Sequence, residues 1–399
     1  MKVSVPHILT VIISSAILFF VSLRYPPLKN TLAAEKNGWA SYRGKVTDIV
    51  DTSTEYYENG NGLKKTAILF NVKLYDGEFK HRTVKAVQMQ DDFIALKSDA
   101  VKKGDSVIIL QLSENTAPFL SENTPNQEIF ENPVFVFEEF YRFTSMTLLL
   151  FVFVILLLVF GGIKGLNTLI SLVFTCASIF CWFIPSIFNG ANLYASSISV
   201  CLFIIVMTVI IVNGINKKSI ASITGCFGGV LIAALLSLIM KNAMHINGYL
   251  NNDSLYLEAL LPGGQKDLVA VLFSAIIIGA VGAVMDVSMS LASALYELAT
   301  SVKDISFKQL VKSGFAIGRD MMGTMANTLI LAYTGSSLSF ILVLIAYNSS
   351  FLGLLNNQII AFEIMQALTG SIGILCGIPL TTLIASALYS IKIVITVDK

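Results

Sequence analysis

Asp286, Ser290, Ser293 and Glu297 stand four, three and four residues apart. On an α-helix that spacing places all four side chains on one narrow stripe. Further along, Asp320, Thr324 and Asn327 repeat the four-and-three spacing, with Arg319 beside them. Both groups border or enter apolar runs. An ionisable side chain there is expensive, and it normally faces a protein interior or a water-filled cavity. The functional expectation is a polar pathway or ion site at the cytoplasmic mouths of two consecutive spans, with Arg319 neutralising Asp286 or Asp320. The plainer alternative is a structural ion pair joining two helices, beside an amphipathic interfacial segment at 287–300.

Other chemistries fit less well. Met285, Met289, Met321, Met322 and Met325 crowd the same region. Thioethers bind Cu(I), but no Cys or His accompanies them, and Met also fills irregular gaps in a core. Glu363 and Gln366, with Tyr333, could continue a route outward; Glu363 could equally lie in the outer headgroup layer. No HExxH, GxSxG or phosphate-cradling glycine loop occurs, and Ser290 and Ser293 have no histidine base. A carboxylate pair sharing a proton would need Asp286 and Asp320 together, but Arg319 would hold both ionised. No enzyme, cofactor or metal site is expected.

These residues must be positioned by membrane spans. Of the 399 residues 55% are hydrophobic and 13% charged, about half the charge of a soluble domain, and the apolar residues fall in blocks of spanning length. The net charge of +1 offers no field for nucleic acid. Cys176, Cys181, Cys201, Cys226 and Cys376 all lie in apolar blocks without CxxC spacing and read as packing residues. His7, His81 and His245 are scattered.

Lys2 precedes an apolar run from Val5 to Leu23, closed by Arg24, Tyr25, Pro26 and Pro27. It is long for a signal peptide, and small residues suited to cleavage come only at Ala33-Ala34. An uncleaved signal anchor at 1–24 is expected. Residues 25–142 are of a different kind, rich in charge and in Gly/Asn turns. Ile68, Phe70, Val72 and Leu74 alternate with Leu69, Asn71 and Lys73, the period of a strand with one face buried. Gly44–Val50 and the stretch 102–110 add candidate strands. A small β-barrel or sandwich, OB-like, is expected, without an aromatic platform or basic groove for ligands. Residues 111–142, with Glu114, Glu122, Glu128, Glu131, Glu138 and Glu139, read as an acidic linker.

From residue 143 the chain reads as spans at about 144–160, 166–188, 195–212, 220–240, 268–285, 322–346 and 360–390. With the first span this predicts an α-helical polytopic membrane protein of about eight transmembrane helices. Lys164, Lys217, Lys218, Lys303, Lys308, Lys312 and Arg319, with Lys2 and Lys392, fall on one side, and only Lys241 and Lys266 on the other. That asymmetry makes both termini cytoplasmic and the β-domain extracytoplasmic. The loop 241–267, with Asn251, Asn252 and Asp253, is then external. Ala275, Gly279 and Ala283, Gly225 and Gly229, and Gly373 and Gly377 carry the small-residue spacing of close helix packing.

The stretches GAVGAVMDVSMSLASALYEL (279–298) and GRDMMGTMANTLILAYTGSSL (318–338) closely resemble the YibE/F family of bacterial multi-pass membrane proteins. The resemblance covers 143–399. It implies a bacterial plasma-membrane protein with a variable N-terminal extension, and implies no activity. After Ser336-Ser337-Leu338 the family pattern leads one to expect proline; this chain has Ser339, which weakens the expectation of a kink in the seventh span.

The expected function is a membrane permease or channel for an ion or small solute, with Asp286, Ser290, Ser293, Glu297, Arg319, Asp320, Thr324 and Asn327 along its pathway. It lacks an ATP-binding domain, so transport would be gradient-driven or need a partner. The alternative is a non-transporting scaffold or sensor whose outer β-domain, 25–142, binds an envelope partner.

Overall fold

The computed structural model describes residues 5–25, 40–56, 63–92, 98–112, 135–250, 253–302, 304–347 and 350–390. The signals carried by Lys2, Pro26-Pro27, Ala33-Ala34, Glu114, Glu122, Glu128, Glu131, Asn251-Asn252, Lys303 and Lys392 lie outside them. The chain divides into two compact units, residues 28–156, and residues 1–27 with 157–399.

The first unit contains a closed five-stranded barrel of β1 (Ala40–Tyr56), β2 (Lys64–Leu74), β3 (Thr83–Asp91), β4 (Ser106–Gln111) and β5 (Phe135–Phe140). Around the barrel the strands run β1-β2-β3-β5-β4. All pairings are antiparallel except β3 with β5. The alternating residues behave as their period demands: Ile68, Phe70, Val72 and Leu74 are buried with Tyr42, Val107, Ile109 and Phe135. Closure depends on β1, which pairs with β4 at its start and β2 along its length, bending at two register shifts. Gly44 occupies the corner, where a Cβ would collide with Val72 and stand 2.9 Å from the Lys73 carbonyl. Gln88 is buried with its hydrogen bonds made: its amide donates to Ser98 Oγ and the Asp99 carbonyl, each at 2.8 Å, and its oxygen accepts from Val101 N at 2.9 Å.

One expectation changes here. The stretch 111–142 is not linker throughout, because Phe135–Phe140 is the strand that closes the barrel. Phe135 supplies its buried side chain, while Glu138 and Glu139 face out, and the density of carboxylates disguises the strand.

The second unit is helical. It comprises α1 (Val5–Arg24), most of α2 (Phe143–Ser178), a π turn (Ile179–Phe183), α3 (Ile184–Phe188), α4 (Leu193–Asn213), α5 (Lys217–Ala243), α6 (Asp253–Leu260), α7 (Gln265–Ser301), α8 (Phe307–Ser336), α9 (Leu338–Tyr347), α10 (Phe351–Leu355) and α11 (Gln358–Ser390). Its core is contributed chiefly by α4, α5, α7 and α11, with α7 among them. The glycine spacing of α5 and α11 does what it predicts. A Cβ on Gly229 would lie 2.7 Å from the Gly373 carbonyl and 3.2 Å from Gly377 Cα. Without a hydrophobic drive between helices in lipid, such close approach supplies the packing attraction.

Among the described residues, length and apolarity identify five candidate spans, or six if α8 and α9 count as one bent span, against the eight expected. Two features account for the difference. Of α1 (20 residues) only the part from Leu9 to Arg24 enters the count, fewer residues than a candidate span needs. The segment Phe143–Phe188 counts once although it breaks at Gly162, whose φ of 53° and ψ of −128° are not helical. There Gly165 packs on the Leu157 carbonyl. Eight residues apart on a straight helix would be about 12 Å, so the chain folds back on itself. The seventh span bends after all, by 61° at Ser337 between α8 and α9. Proline is not needed: Ser337 (φ −96°, ψ 5°) ends α8 with its N–H on the Tyr333 carbonyl at 3.1 Å.

Candidate functional site

The helix α7 is a single rod of 37 residues, and Asp286, Ser290, Ser293 and Glu297 do lie along one side of it. Asp286, Ser290 and Glu297 are exposed and Ser293 is half-buried. The same stripe continues toward the other end through Gly282, Gly279 and Ala275, all exposed. Most of the rest of α7 at this level is buried, including Ala280, Val281, Val284, Met285, Val287 and Ser288, with Ile278, Ala283 and Met289 half-buried. The stripe is therefore a strip of small and polar residues on an otherwise enclosed helix. A Cβ added at Gly282 would meet nothing within 4 Å. Gly279 differs, because the Tyr333 hydroxyl of α8 covers it, with Gln366 Nε2 of α11 at 3.8 Å from a Cβ there.

The start of α8 is set by a capping box, in which Ser306 Oγ accepts from Gln309 N at 3.3 Å and Gln309 Oε1 accepts from Ser306 N at 2.9 Å. The helix begins well before residue 322, at Phe307, with Lys308 and Lys312 in its first turns. Its inward row is Gly314, Gly318, Met321, Met325 and Leu329. Gly314 abuts Thr382 and Leu295, Gly318 abuts Ile378, and Leu329 sits against Gly370. Met289, Met321, Met322 and Met325 pack against the main core and Met285 is buried in it, which accounts for the cluster as packing.

Arg319, Asp320, Thr324 and Asn327 are all exposed. The expected neutralisation does not form: among the described residues, no ion pair joins Arg319 to Asp286 or Asp320. The geometry of α8 explains this. At about 100° per residue, Asp320 lies about 200° round the helix from Gly318 and points away from α7 and α11. Thr324 Oγ1 donates to the Met321 carbonyl at 2.9 Å, and Thr328 Oγ1 to that of Thr324 at 2.8 Å. The two polar stripes thus do not face each other across the helix contact.

Toward the far end of α8, a cavity of about 170 Å³ opens beside the bend, lined by Ile330, Tyr333, Thr334, Ser337, Ile360 and Glu363 among others. It brings Tyr333 and Glu363 to one place, while Gln366 is not among its lining residues. A second group escaped the sequence reading. Ser288, Thr381, Thr382 and Ser386 are buried at the α7–α11 contact. Thr381 Oγ1 donates to Ser288 Oγ at 3.2 Å, whereas Thr382 Oγ1 and Ser386 Oγ have no partner among the described residues. Their i, i+4 spacing within an apolar span is the signal that could have found them.

The family model described as YibE/F-like protein matches residues 149–391. No curated protein and no solved structure matches the chain. The match spans more than half the chain, and the chain belongs to the YibE/F-like family.

Proposed function

We propose that this YibE/F-like membrane protein is a permease or channel for an ion or small solute and has no enzymatic role. The observation that carries the reading is the α7 stripe. Ala275, Gly282, Asp286 and Ser290 lie open along a helix of membrane-spanning length that is buried on its other sides. Small side chains leave room beside the helix, and Asp286 offers a carboxylate to a passing cation or proton. Intramembrane carboxylates mark such routes because their cost is tolerated only where they face water or a ligand. The cavity beside Tyr333 and Glu363 extends the route outward. Transport is gradient-driven or coupled to a partner.

The same proposal carries a topology. Counting α1 as an anchor and Phe143–Phe188 as two spans divided at Gly162 gives eight, with both termini cytoplasmic in the bacterial plasma membrane. The barrel is then extracytoplasmic. Its strand order supports an OB-like reading, in which β3 and β5 pair in parallel to complete a Greek-key barrel.

A second reading, a scaffold or sensor whose barrel binds an envelope partner, draws on Arg43. Its guanidinium lies 5.4 Å from the Tyr75 ring centre and 4.9 Å from that of Tyr141. Aromatic and arginine groups together on a surface are common anchors in protein interfaces. Flux in proteoliposomes tests the two. Purified protein is challenged with metal ions, protons and small anions, wild type beside Asp286→Asn and a deletion of residues 30–140. Flux that Asp286→Asn abolishes and the deletion spares is the expected result. No flux for any solute, with loss of partner capture in the deletion, would favour the scaffold.

A further inference from the structure

The outward face of α8 is polar where lipid should be. Ala316, Asp320, Gly323 and Asn327 are exposed and spaced four, three and four, the repeat by which two parallel helices meet along a seam. Arg319 and Thr324 flank the row and are exposed as well. The contacts between α8 and α7 fix the depth. Gly314 meets Leu295 near the basic end, and Tyr333 covers Gly279 nearer the other. Between those anchors Asn327 falls about level with Ala283 and Val284, inside the apolar part of α7. Among the described residues, no ion pair takes up Arg319 or Asp320 and no hydrogen bond takes up the Asn327 amide.

We propose that a second copy of this chain covers this face, so that the protein is a two-fold symmetric dimer through α8. Identical chains insert with the same orientation, because the same Lys/Arg signals act on each. Their α8 helices are therefore parallel, and the axis runs along the membrane normal. A two-fold interface is self-complementary, each contact occurring twice. Arg319 and Asp320 suit that rule. Neighbours at one depth, and unpaired among the described residues, they can form two reciprocal Arg319–Asp320 pairs across the axis. Gly323 sits at the closest approach, and a Cβ there would meet nothing within 4 Å, so the backbone is free to receive another helix. Asn327 can donate to and accept from Asn327 of the second copy, the kind of interhelical amide bond that membrane helices use. The association follows from the exposed polar face and holds whether or not the protein transports.

Oxidative cross-linking of the full chain in membranes tests this. In a Cys176→Ser, Cys181→Ser background, Gly323→Cys and Asn327→Cys are each compared with Leu235→Cys, on the exposed side of α5. The proposal expects disulfide-linked dimers at 323 and 327 and little at 235. Arg319→Asp, which sets two acidic groups against each other, is expected to weaken dimerisation about tenfold. The exchanged double variant Arg319→Asp with Asp320→Arg is expected to restore it, and its recovery separates lost pairing from misfolding. Equal cross-linking at 323, 327 and 235, or a double variant no better than Arg319→Asp, would overturn the dimer.

Discussion

Tyr42 shows how one side chain ties the barrel's stability to pH. It is 7% exposed and its hydroxyl donates to Gln111 Oε1 at 2.9 Å. Burial, with the negative charges of Glu78 and Asp76 nearby, raises its pKa above the ordinary value of 10.0. The unfolded tyrosine ionises first, so its contribution is complete below pH 10 and is lost as pH rises through the folded value. In calorimetry of the full chain, the barrel transition should fall in temperature above pH 10, and Tyr42→Phe should flatten that fall. The same change removes a hydrogen bond of about 1 kcal/mol, so the variant should melt lower at pH 7. An unchanged alkaline slope would contradict the assignment. At this scale the stripe on α7 was legible, because Asp286, Ser290, Ser293 and Glu297 share a face by spacing alone. The pairing of Arg319 was not. Which way a side chain points around α8 is decided by Gly314 and Gly318 seating on Thr382 and Ile378, a long-range contact that no local pattern reveals.

Among the elements, α5 and α11 cross closely. A Cβ at Gly225 would collide with the Thr381 hydroxyl and stand 2.9 Å from Thr381 Cα. Gly225→Val should cost roughly 1–3 kcal/mol by overpacking, measured as a lower melting temperature in detergent. Gly161→Ala, where a Cβ meets nothing within 4 Å, should be close to neutral, and equal losses in both would refute the packing account. The turn at Gly162 makes a matching prediction. Gly165→Val presses a side chain into the Leu157 carbonyl and should reduce the yield of folded protein far more than Gly161→Ala. The glycine spacing of Gly225, Gly229, Gly373 and Gly377 announced its crossing, and the alternation around Phe70 announced a strand. Strand β5 and the bend at Ser337 went unannounced. The first is hidden by glutamates on its outer face. The second arises from a helix end that Ser337 caps without proline.

For the whole molecule, a membrane helical unit and a five-stranded barrel follow from a shift in composition near residue 143, and the family match falls on the helical part. The central claim concerns the strip on α7: it lines a water-filled route. Thiol labelling tests it without knowledge of the solute. Ala275→Cys, Gly282→Cys and Ser290→Cys are introduced one at a time, in a background lacking Cys176 and Cys181, and exposed to a charged, water-soluble thiol reagent in sealed membranes. Leu235→Cys, on an apolar exposed surface, serves as the reference. The account predicts rapid labelling along the strip and none at 235. Labelling at 275, 282 and 290 as slow as at 235 would mean that the strip faces lipid or another helix, and the permease reading would fall.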